Sequence, residues 1–460
     1  MPSTHDVATW EPLLRLLLQD NAERLAAPGG YVAGHIGRGS WSVPVTPPAF
    51  QPGRAAQVSD MQTEWDAVGR VRSVLEESDV DEVSFMLETP APGKALLHLF
   101  DRGPAVESGV ATRFGALVLV EGAVPEPWRR LPDPSPDAVP APTADAALLE
   151  RTLRERLPEA IGATEQELAA TEARLGVTLP EELKALYRVT RARWEDLGGD
   201  YSAATRMAKA VGCELLALDE VYVADTASRP APWEFAAMDA VETRPDAAVQ
   251  GLVGSPGWIV FGDTGGGDRI AVDLTPGPAG YLGQIIVMNH EENCGAGLVA
   301  DSVTDMVLDR RPDERRGAGR EAQPPAVAWV NRSGIPSVEA AAHSGLEALS
   351  IGVWEGEPLS LEPLVGLPRL RTLTAYPGTL ADPLEIARLE GLEFLELAPE
   401  EWRVLLDAGA VPRGLSAAAI EVHGERNPLP IVALANEILG LWDRPLITRT
   451  VIEADLGPVA

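Results

Sequence analysis

The chain has 460 residues, of which 45% are hydrophobic, and its 69 acidic and 38 basic residues give a formal net charge of −31. This length suits about two to four domains, and the apolar content excludes a chain that is disordered throughout. The negative field repels nucleic acid and anionic membranes and attracts basic partners, although acidity also serves solubility by itself.

The same inventory indicates a cytoplasmic location. The longest apolar run, Leu13–Leu18, is interrupted by Arg15 and is shorter than the ~18 residues that a membrane span requires. The N-terminus lacks the charged, apolar and small-residue zones of a signal peptide. Two cysteines, Cys213 and Cys294, make no disulfide framework. We therefore expect a reducing cytoplasm and no membrane partner.

The first segment, residues 1–135, is predicted to be a small α+β domain. It opens with an apolar helical pattern from Trp10 to Leu25. Three short β-rich runs separated by Gly and Pro turns then predict an antiparallel meander: Val83–Thr89, Ala95–Phe100 and Ala116–Val120. A hydrolytic site in this segment, near His35 or His98, stays open as a remote alternative, although the nearby acids show no recognised spacing.

Two stretches divide the rest of the chain. The prolines of Leu131–Asp145 favour an extended, solvated backbone. Asp309–Pro325 carries five Arg with Gly and Pro, which argues against a continuous helix and leaves a solvated linker or a basic segment docked on an acidic neighbour. These stretches predict further domains at residues 146–308 and 326–460.

Two consecutive helices are predicted over Thr164–Val189, which we call the helix corner. Thr164 followed by Glu167 forms a capping box at its start. Gly176 supplies the left-handed residue that ends the first helix, and Pro180 suits the first turn of the second. The helical spacing of apolar residues gives each helix one buried face, formed by Leu168, Thr171 and Leu175 in the first and by Leu183, Leu186 and Tyr187 in the second.

The acids of the helix corner are explained by helix formation itself. Glu165, Glu167, Glu181 and Glu182 lie in first turns, where the helix dipole favours negative charge. Their pattern therefore requires no catalysis. It leaves Glu181 and Glu182 as candidate partner-binding residues on the surface.

A sheet is predicted beside the helix corner. Trp258–Leu274 indicates two strands joined by a tight Gly-rich turn, and Gly283–Met288 indicates a third strand. Three successive strands favour an antiparallel sheet packed on the helix pair.

The turn Gly265–Gly267 invites two interpretations. A phosphate-binding loop requires Gly-Lys-Ser/Thr opening a helix, whereas Asp268 and Arg269 follow here, so a hairpin whose glycines tolerate positive φ is favoured. Asp263, Asp268 and Asp273 suggest a cation site, but their spacing is not that of an EF-hand. Asp263 is expected to accept hydrogen bonds from turn amides instead.

Other reactive residue types are isolated. His290–Cys294 contains metal-ligand types without a second cluster to complete a zinc site. Glu339 and His343 have the spacing of one helical face, which is common in surface pairs. Cys213 precedes an apolar run and is expected to be a buried small hydrophobe, although pairing with a His for nucleophilic catalysis stays open. We expect no cofactor, no metal and no catalytic residue.

The third segment contains an internal repeat. The pattern L-x-x-L-x-L, with Ala or Ile at some positions, recurs at intervals of 22 to 24 residues, at Leu346/Leu349/Ile351, Leu370/Leu373/Ala375, Leu392/Leu395/Leu397 and Leu415/Ala418/Ile420. This period predicts a short leucine-rich-repeat-like solenoid. Ile431–Trp442 is expected to be a helix that caps it. Trp354 follows a predicted repeat strand and, if exposed among acids, would be a binding anchor.

The helix corner and the strands after it resemble the SUKH superfamily, the Smi1/Knr4-type domain. The resemblance covers about 160 residues and rests on two marks taken together, the helix–G–x–x–LP–helix opening and the W…D-x-G-G-G-D…VDL turn. Residues that match these marks, with a structural or partner-binding role, are Glu172, Leu175, Gly176, Leu179, Pro180, Trp258, Asp263, Gly266, Gly267 and Asp273. One departure is a Gly pair delayed to Gly198 and Gly199.

This resemblance implies an α+β fold that binds proteins. Bacterial members resemble immunity proteins that neutralise toxins, often nucleases, and fungal members resemble scaffold proteins of cell-wall synthesis and signalling. The composition, rich in Arg, Ala, Gly and Pro, indicates a bacterial source. We expect a non-enzymatic immunity-type protein with a basic protein partner, and a cytoplasmic scaffold or regulator as the alternative.

Overall fold

The computed structural model describes residues 3–46, 61–108, 116–312, 325–424 and 426–457. They form a mixed α+β protein, as predicted. The chain divides into two compact units. Unit 1 comprises Met1–Ala123, Trp329–Ser344 and Leu349–Ala460, and unit 2 comprises Val124–Ala328 and Gly345–Ala348. The sequence predicts three consecutive segments, and the structure combines residues from the first and the third of them in unit 1.

Unit 1 contains a five-stranded antiparallel sheet in the order β18-β4-β3-β1-β2. Its strands are β1 (Tyr31–Gly37), β2 (Trp41–Ser42), β3 (Glu82–Ala91), β4 (Lys94–Asp101) and β18 (Thr448–Asp455). The predicted strands at Val83–Thr89 and Ala95–Phe100 are thus confirmed. The partner of β4 on its outer side comes from the far end of the sequence.

Three helices accompany this sheet: α1 (Val7–Asp20), α2 (Ala22–Ala26) and α3 (Gln62–Glu77). Buried residues of α1 and α3 share one apolar core with one face of the sheet. The single helix expected over Trp10–Leu25 is instead broken at Asn21. The Asn21 side-chain amide donates to Leu17 O at 3.0 Å and to Pro44 O at 2.7 Å, which ties the break to a neighbouring segment.

A second sheet has seven strands in the order β13-β14-β15-β16-β17-β6-β5. They are β5 (Val106–Ser108), β6 (Ala116–Val120), β13 (Val327–Val330), β14 (Ala348–Ile351), β15 (Thr372–Ala375), β16 (Phe394–Leu397) and β17 (Ala417–Glu421). The meander predicted for the first segment was wrong in its third strand. That strand, β6, pairs antiparallel with β17 and β5 rather than with β4.

Repeat positions on three of these strands lie opposite one another in this sheet. β15, β16 and β17 are parallel, with Leu373 opposite Leu395 and Leu395 opposite Ala418. All the repeat positions named above are buried. Between the strands lie α11 (Val338–Ala341), α12 (Pro399–Asp407) and 3-10 helices at Glu362–Leu364 and Pro383–Arg388. The expected terminal helix is α13 (Pro428–Leu441), which the Asn427 side chain starts by accepting from Leu429 N at 2.9 Å.

Unit 2 is built on a six-stranded antiparallel sheet in the order β12-β11-β10-β9-β7, with β8 also pairing with β9. Its strands are β7 (Glu214–Leu215), β8 (Tyr222–Val223), β9 (Trp258–Asp263), β10 (Arg269–Asp273), β11 (Gln284–Met288) and β12 (Gly297–Ala300). The three predicted strands are β9, β10 and β11, joined as predicted by a hairpin between the first two.

The helices of unit 2 are α4 (Glu126–Arg129), α5 (Ala146–Arg156), α6 (Glu165–Leu175), α7 (Glu181–Val189), α8 (Tyr201–Val211), α9 (Trp233–Ala236) and α10 (Val303–Val307), with 3-10 helices at Trp194–Leu197 and Thr226–Ser228. Helices α5, α6, α7, α8 and α10 share the apolar core on one face of this sheet, whereas α4 and α9 pack in a separate small cluster. Leu183, Leu186 and Tyr187 of α7 share a core with Ile259 and Phe261 of β9. Trp258 and Val260 point to a smaller apolar cluster on the other face.

The Pro-rich stretch Leu131–Asp145 is bound to unit 2, whereas a solvated backbone was expected. Asp133 N donates to Gln250 Oε1 and Ser135 Oγ donates to Pro276 O, each at 2.8 Å. Leu282 N donates to Val139 O at 3.0 Å. Proline makes this segment extended, and these bonds hold it on the domain. Most of the basic stretch Asp309–Pro325, residues 313–324, lies outside the described residues. Among the described helices, none has the length and apolarity that crossing a membrane demands.

Candidate functional site

The helix corner is held by local capping interactions that its sequence predicts. The Thr164 side chain accepts from Glu167 N, and the Glu167 carboxylate accepts from Thr164 N, which completes the capping box. Gly176 adopts φ +72° at the end of α6, a conformation that costs a residue with a side chain about 1–2 kcal/mol. The first helix therefore stops at a defined residue and the chain turns back.

Glu172 fixes the turn between the two helices. Its carboxylate accepts from Leu179 N at 2.8 Å and pairs with Lys184 Nζ at 2.9 Å. This lysine lowers the pKa of Glu172. Leu179 is buried, and Pro180 immediately precedes α7 with φ −56°. The motif residues Glu172, Gly176, Leu179 and Pro180 thus set the angle of the corner, and Leu175 packs against the same core.

Glu182, expected on the surface, is buried. Its carboxylate accepts from Thr304 N at 3.1 Å, from Val303 N at 3.3 Å and from Asp145 N at 3.2 Å, and also from the Thr304 hydroxyl. These donors lie at the start of α10 and just before α5. Glu182 therefore joins α7 to α5 and α10, and its carboxylate is not available at the surface.

Glu181, one residue earlier, is exposed on the outer side of the corner. Its carboxylate lies 3.2 Å from Lys184 Nζ and 3.6 Å from an Arg188 nitrogen. Arg188 also pairs with Glu165 at 2.7 Å and, through that hydrogen bond, lowers the pKa of Glu165. The surface acids of the corner are thus matched by basic residues of α7, so the corner is less negative than its acids alone suggest.

An exposed aromatic pair lies directly after the corner and was not predicted. Trp194 is 44% exposed and Tyr201 is 80% exposed, with ring centroids 4.9 Å apart. Between them, Gly198 and Gly199 adopt φ of +62° and +71°, so the delayed Gly pair makes the turn that brings the rings together. We call Trp194 and Tyr201 the aromatic patch.

The aromatic patch is tied to the helix corner by ion pairs. Arg191 pairs with Asp196 at 2.6 Å and with Glu167 of α6 at 3.2 Å. Arg191 lowers the pKa of Asp196. A cleft of about 420 Å³ adjoins this segment, and its lining includes Leu157, Ile161, Leu197, Asp200 and Met207. Corner, patch and cleft form one continuous region of unit 2.

The Gly-rich hairpin shows the predicted turn. Asp263 accepts from Gly265 N at 2.6 Å and from Gly267 N at 3.3 Å, which confirms the expected bonds to turn amides. Gly265 and Gly267 have φ of +83° and +102°, whereas Gly266 needs no positive φ. Arg269 also pairs with Asp263. The hairpin is therefore satisfied from within and has no phosphate-binding geometry.

Asp268 and Asp273 lie apart from Asp263 in their interactions. Asp268 accepts from the backbone N–H of His290 at 3.0 Å and contacts His290 Nδ1 at 2.6 Å. These contacts lower the pKa of Asp268 and raise the pKa of His290. Among the residues that the structure describes, no group of three or more His, Cys, Asp or Glu is arranged to hold a metal ion.

Asp273 is fully buried at the end of β10, opposite Trp258 of β9. It accepts from Thr275 N at 2.8 Å and from Gln284 Nε2 at 2.9 Å. Burial raises its pKa from 3.8 to about 6. Trp258 and Asp273 therefore belong to the interior, where Asp273 fixes the connection between β10 and β11.

The remaining candidates lie separately. Trp354 of unit 1 is partly buried, and its Nε1 donates to Glu357 O at 2.9 Å in its own loop. Cys213 is buried, which raises the pKa of its thiol to about 12. Glu339 and His343 do not share a helix as expected, because α11 ends at Ala341. His98 is buried on β4, with Nε2 3.1 Å from Glu88.

A comparison with known proteins agrees with this geometry. Residues 162–309, which include the helix corner, the aromatic patch and the hairpin, match the sequence profile of the SMI1/KNR4 family (SUKH-1). A 67-residue region is 36% identical to a protein of Neurospora crassa named "Glucan synthesis regulatory protein", covering 15% of this chain and 13% of that protein. A 49-residue region is 43% identical to the Schizosaccharomyces pombe protein named "Cell wall biosynthesis/cell cycle regulator smi1", covering 11% and 10%.

These similarities are confined to one part of the molecule. The matched regions span 13% or less of the length of either relative, so they concern a domain and not a whole protein. The residues that carry the resemblance, from Glu172 to Asp273, all lie within the matched range. Residues 162–309 are therefore a SUKH-superfamily domain of the SMI1/KNR4 type.

Proposed function

We propose that this protein is a non-enzymatic protein-binding protein whose SUKH domain is the recognition module. The observation that carries the proposal is the aromatic patch beside the helix corner. Trp and Tyr are the residues most enriched among binding hot spots, and large exposed apolar side chains grouped together mark interaction surfaces. Tyr201 keeps most of its surface, and Trp194 nearly half of its surface, open to a partner.

The proposed partner is basic. Glu195, Asp196 and Asp200 lie within the same segment as the patch. Asp196 pairs with Arg191 and Asp200 with Arg206, and the whole chain carries a net charge of −31. Acids around an aromatic anchor select a positively charged surface and speed its approach through long-range attraction. The adjoining cleft, which is lined by both apolar and charged side chains, provides depth for a side chain of the partner.

The buried acids support binding rather than catalysis. Glu182 and Asp273 each hold structural segments together, and Asp263 satisfies the hairpin. A catalytic acid or base would instead face a site that substrate can enter. In this proposal the titratable motif residues maintain the shape of the domain, and the exposed residues of the corner and patch meet the partner.

More specifically, we propose that this is an immunity-type protein of a bacterial cytoplasm that neutralises a toxin. If the toxin is a nuclease, its active-site cleft is basic because it receives phosphate. An acidic protein with exposed aromatic anchors is suited to occupy such a cleft. Co-expression with candidate toxins tests this form: the protein should restore growth, and failure to do so removes the role for those toxins.

The second candidate is a regulatory scaffold of the Smi1/Knr4 type. The observation that favours it is the similarity to two fungal proteins named as regulators of glucan synthesis and of cell-wall biosynthesis. The same surface would then bind a regulatory protein.

A leucine-rich-repeat-like solenoid over residues 326–460 is proposed as a second binding surface, supported by the parallel pairing of β15, β16 and β17.

Affinity capture followed by mass spectrometry tests the binding proposal. The tagged full chain is used at low salt and at ~0.5 M salt, where the Debye length falls well below 8 Å. We expect a basic partner that is lost on substitution of Trp194→Ala with Tyr201→Ala and weakened by salt. The matched control is Phe235→Ala, an aromatic residue of the same domain that is 45% exposed. Equal capture by both variants would contradict the proposal.

A further inference from the structure

Among the residues that the structure describes, strand β18 is an edge strand of a sheet in unit 1. It pairs with β4 along its full length and is the terminal strand of the five-stranded sheet. It is eight residues long and contains neither Pro nor Gly. Proteins usually shorten or interrupt such edges, because an unpaired edge invites another strand. The opposite edge of the same sheet, β2, has two residues.

The hydrogen bonds of β18 alternate between β4 and the open side. Leu456 N donates to Gly93 O at 2.8 Å, and the register that continues this pair places Ile452 opposite Leu97. In an antiparallel pair, every second residue directs both backbone groups to its partner. The even-numbered residues of β18 therefore bond to β4, and Arg449, Val451 and Glu453 direct their N–H and C=O groups outward.

The side chains of these outward-bonding residues share one face of the sheet. Ile452 and Ala454 belong to the core beneath α1 and α3, so the odd-numbered residues lie on the other face. Val451 is 41% exposed. Arg449 and Glu453 are also exposed, and Glu453 interacts electrostatically with Lys94 of β4.

The spacing of these three side chains is self-complementary. We propose that two copies of this chain associate by antiparallel pairing of β18 with β18, with the two-fold axis at Val451. Val451 then faces Val451 of the second copy, and Arg449 of each copy faces Glu453 of the other. Directly opposite side chains have Cβ atoms about 4.5–5.5 Å apart, and opposite charges at such positions are favourable.

Neighbouring registers match less well. A shift by two residues places a charge opposite Val451, and in one direction it also places Arg449 opposite Asp455, which already pairs with Lys94 at 2.8 Å. A shift by four places Arg449 against Arg449 or Glu453 against Glu453, which is unfavourable. Pairing ends naturally at Ile447, because its N–H donates to Asn436 Oδ1 at 2.8 Å and its C=O accepts from Asn436 Nδ2 at 3.1 Å. About six backbone hydrogen bonds therefore join the copies.

Sedimentation equilibrium of the full chain over a concentration series tests the association. The mass should rise from 48.9 kDa toward twice that value. Val451→Pro should hold the mass at the monomer value while the fold stays intact, because the lost N–H points outward and edge positions tolerate proline. Circular dichroism and thermal unfolding identical to the natural protein establish that the fold is kept.

Charge reversal tests the register. Arg449→Glu or Glu453→Arg places like charges at both contacts and should weaken association about tenfold or more. The double variant Arg449→Glu/Glu453→Arg restores opposite charges and should restore association. Arg332→Glu, an exposed arginine of the same unit outside this sheet, is the matched control and should change nothing.

Cysteine crosslinking tests the two-fold axis. Val451→Cys should form an intermolecular disulfide on mild oxidation, because residues opposite each other at the axis have Cα atoms about 5.5 Å apart. Glu453→Cys should not, since its counterpart lies several residues away along the partner strand. A monomer at every concentration, a dimer unaffected by Val451→Pro, or crosslinking at both positions would overturn the proposal.

Discussion

Two sets of acids in the SUKH domain have opposite environments although they belong to the same motifs. Glu182 and Asp273 are buried: Glu182 accepts hydrogen bonds from segments that are distant in sequence, and Asp273 accepts from the nearby Thr275 and Gln284. Glu165 and Glu181, in the first turns of α6 and α7, are exposed and pair with Arg188 and Lys184. Neighbouring glutamates can therefore differ completely in role, and burial decides between maintaining the fold and meeting a partner.

The largest effect is expected for Glu182→Ala. The substitution leaves the N–H groups of Val303 and Thr304 without their acceptor, whereas Asp145 N keeps the Thr304 hydroxyl at 3.2 Å as an acceptor. We expect unit 2 to lose about 3 kcal/mol or more of its free energy of unfolding, because buried donors to a charged group are costly to orphan. Chemical denaturation measures it. Glu181→Ala is the matched control, and equal losses in both variants would contradict the distinction.

The next largest effect on stability is expected for Asp273, whose contribution to the free energy of unfolding depends on pH. Its folded-state pKa of about 6 lies above the ordinary value of 3.8 for an aspartate, so its contribution to stability is fully present below pH ~3.8 and is lost as the pH rises through about 6. The loss approaches about 3 kcal/mol. The difference in unfolding free energy between Asp273→Asn and the natural protein should therefore shift in favour of the variant between pH 4 and 7. A constant difference would be evidence against the raised pKa.

Gly176→Ala should cost about 1 kcal/mol, because φ is +72° there and no neighbouring atom lies within 4 Å of the added methyl group. The effect is conformational, without a steric clash. Gly440→Ala is the control of opposite sign, since Gly440 lies within α13 with no positive φ and open space around it, where Ala stabilises a helix. Thermal unfolding compares the two. Similar shifts in Tm would exclude the left-handed conformation as the cause.

The smallest effect on stability is expected for substitutions of the two exposed acids, Glu165 and Glu181. Glu165→Gln and Glu181→Gln should leave the unfolding transition unchanged, because exposed ion pairs contribute little. They should slow association with a basic partner at low salt, since rim charges act mainly on the rate of encounter. Surface plasmon resonance separates the two rate constants. A change in the dissociation rate constant alone would instead indicate that these acids contact the partner in the bound complex.

Features fixed by neighbouring residues were predictable. The capping box at Thr164, the left-handed Gly176 and the hairpin after Asp263 are encoded within a few positions, and each is present as expected. The buried repeat positions followed equally from periodicity. Local signals of this kind need no knowledge of the rest of the chain.

Pairings over long sequence separations were not predictable. Ala116–Val120 is a strand as expected, yet its partner β17 lies some 300 residues away, and no local pattern names a partner. Glu182 fits the rule for a surface acid in a first helical turn, and its burial depends on where Thr304 lies. The aromatic patch was not predictable from local patterns, because Trp194 and Tyr201 approach each other only through the turn at Gly198 and Gly199.

The central claim is that partner recognition uses the helix corner and the aromatic patch, while the buried motif acids maintain the domain. Hydrogen exchange of the full chain, free and bound to its captured partner, tests it most directly. We expect the backbone amides of residues 164–211 to exchange more slowly when the partner is bound, with little change in β9–β11. Protection centred on β9–β11, with unchanged exchange across residues 164–211, would contradict it.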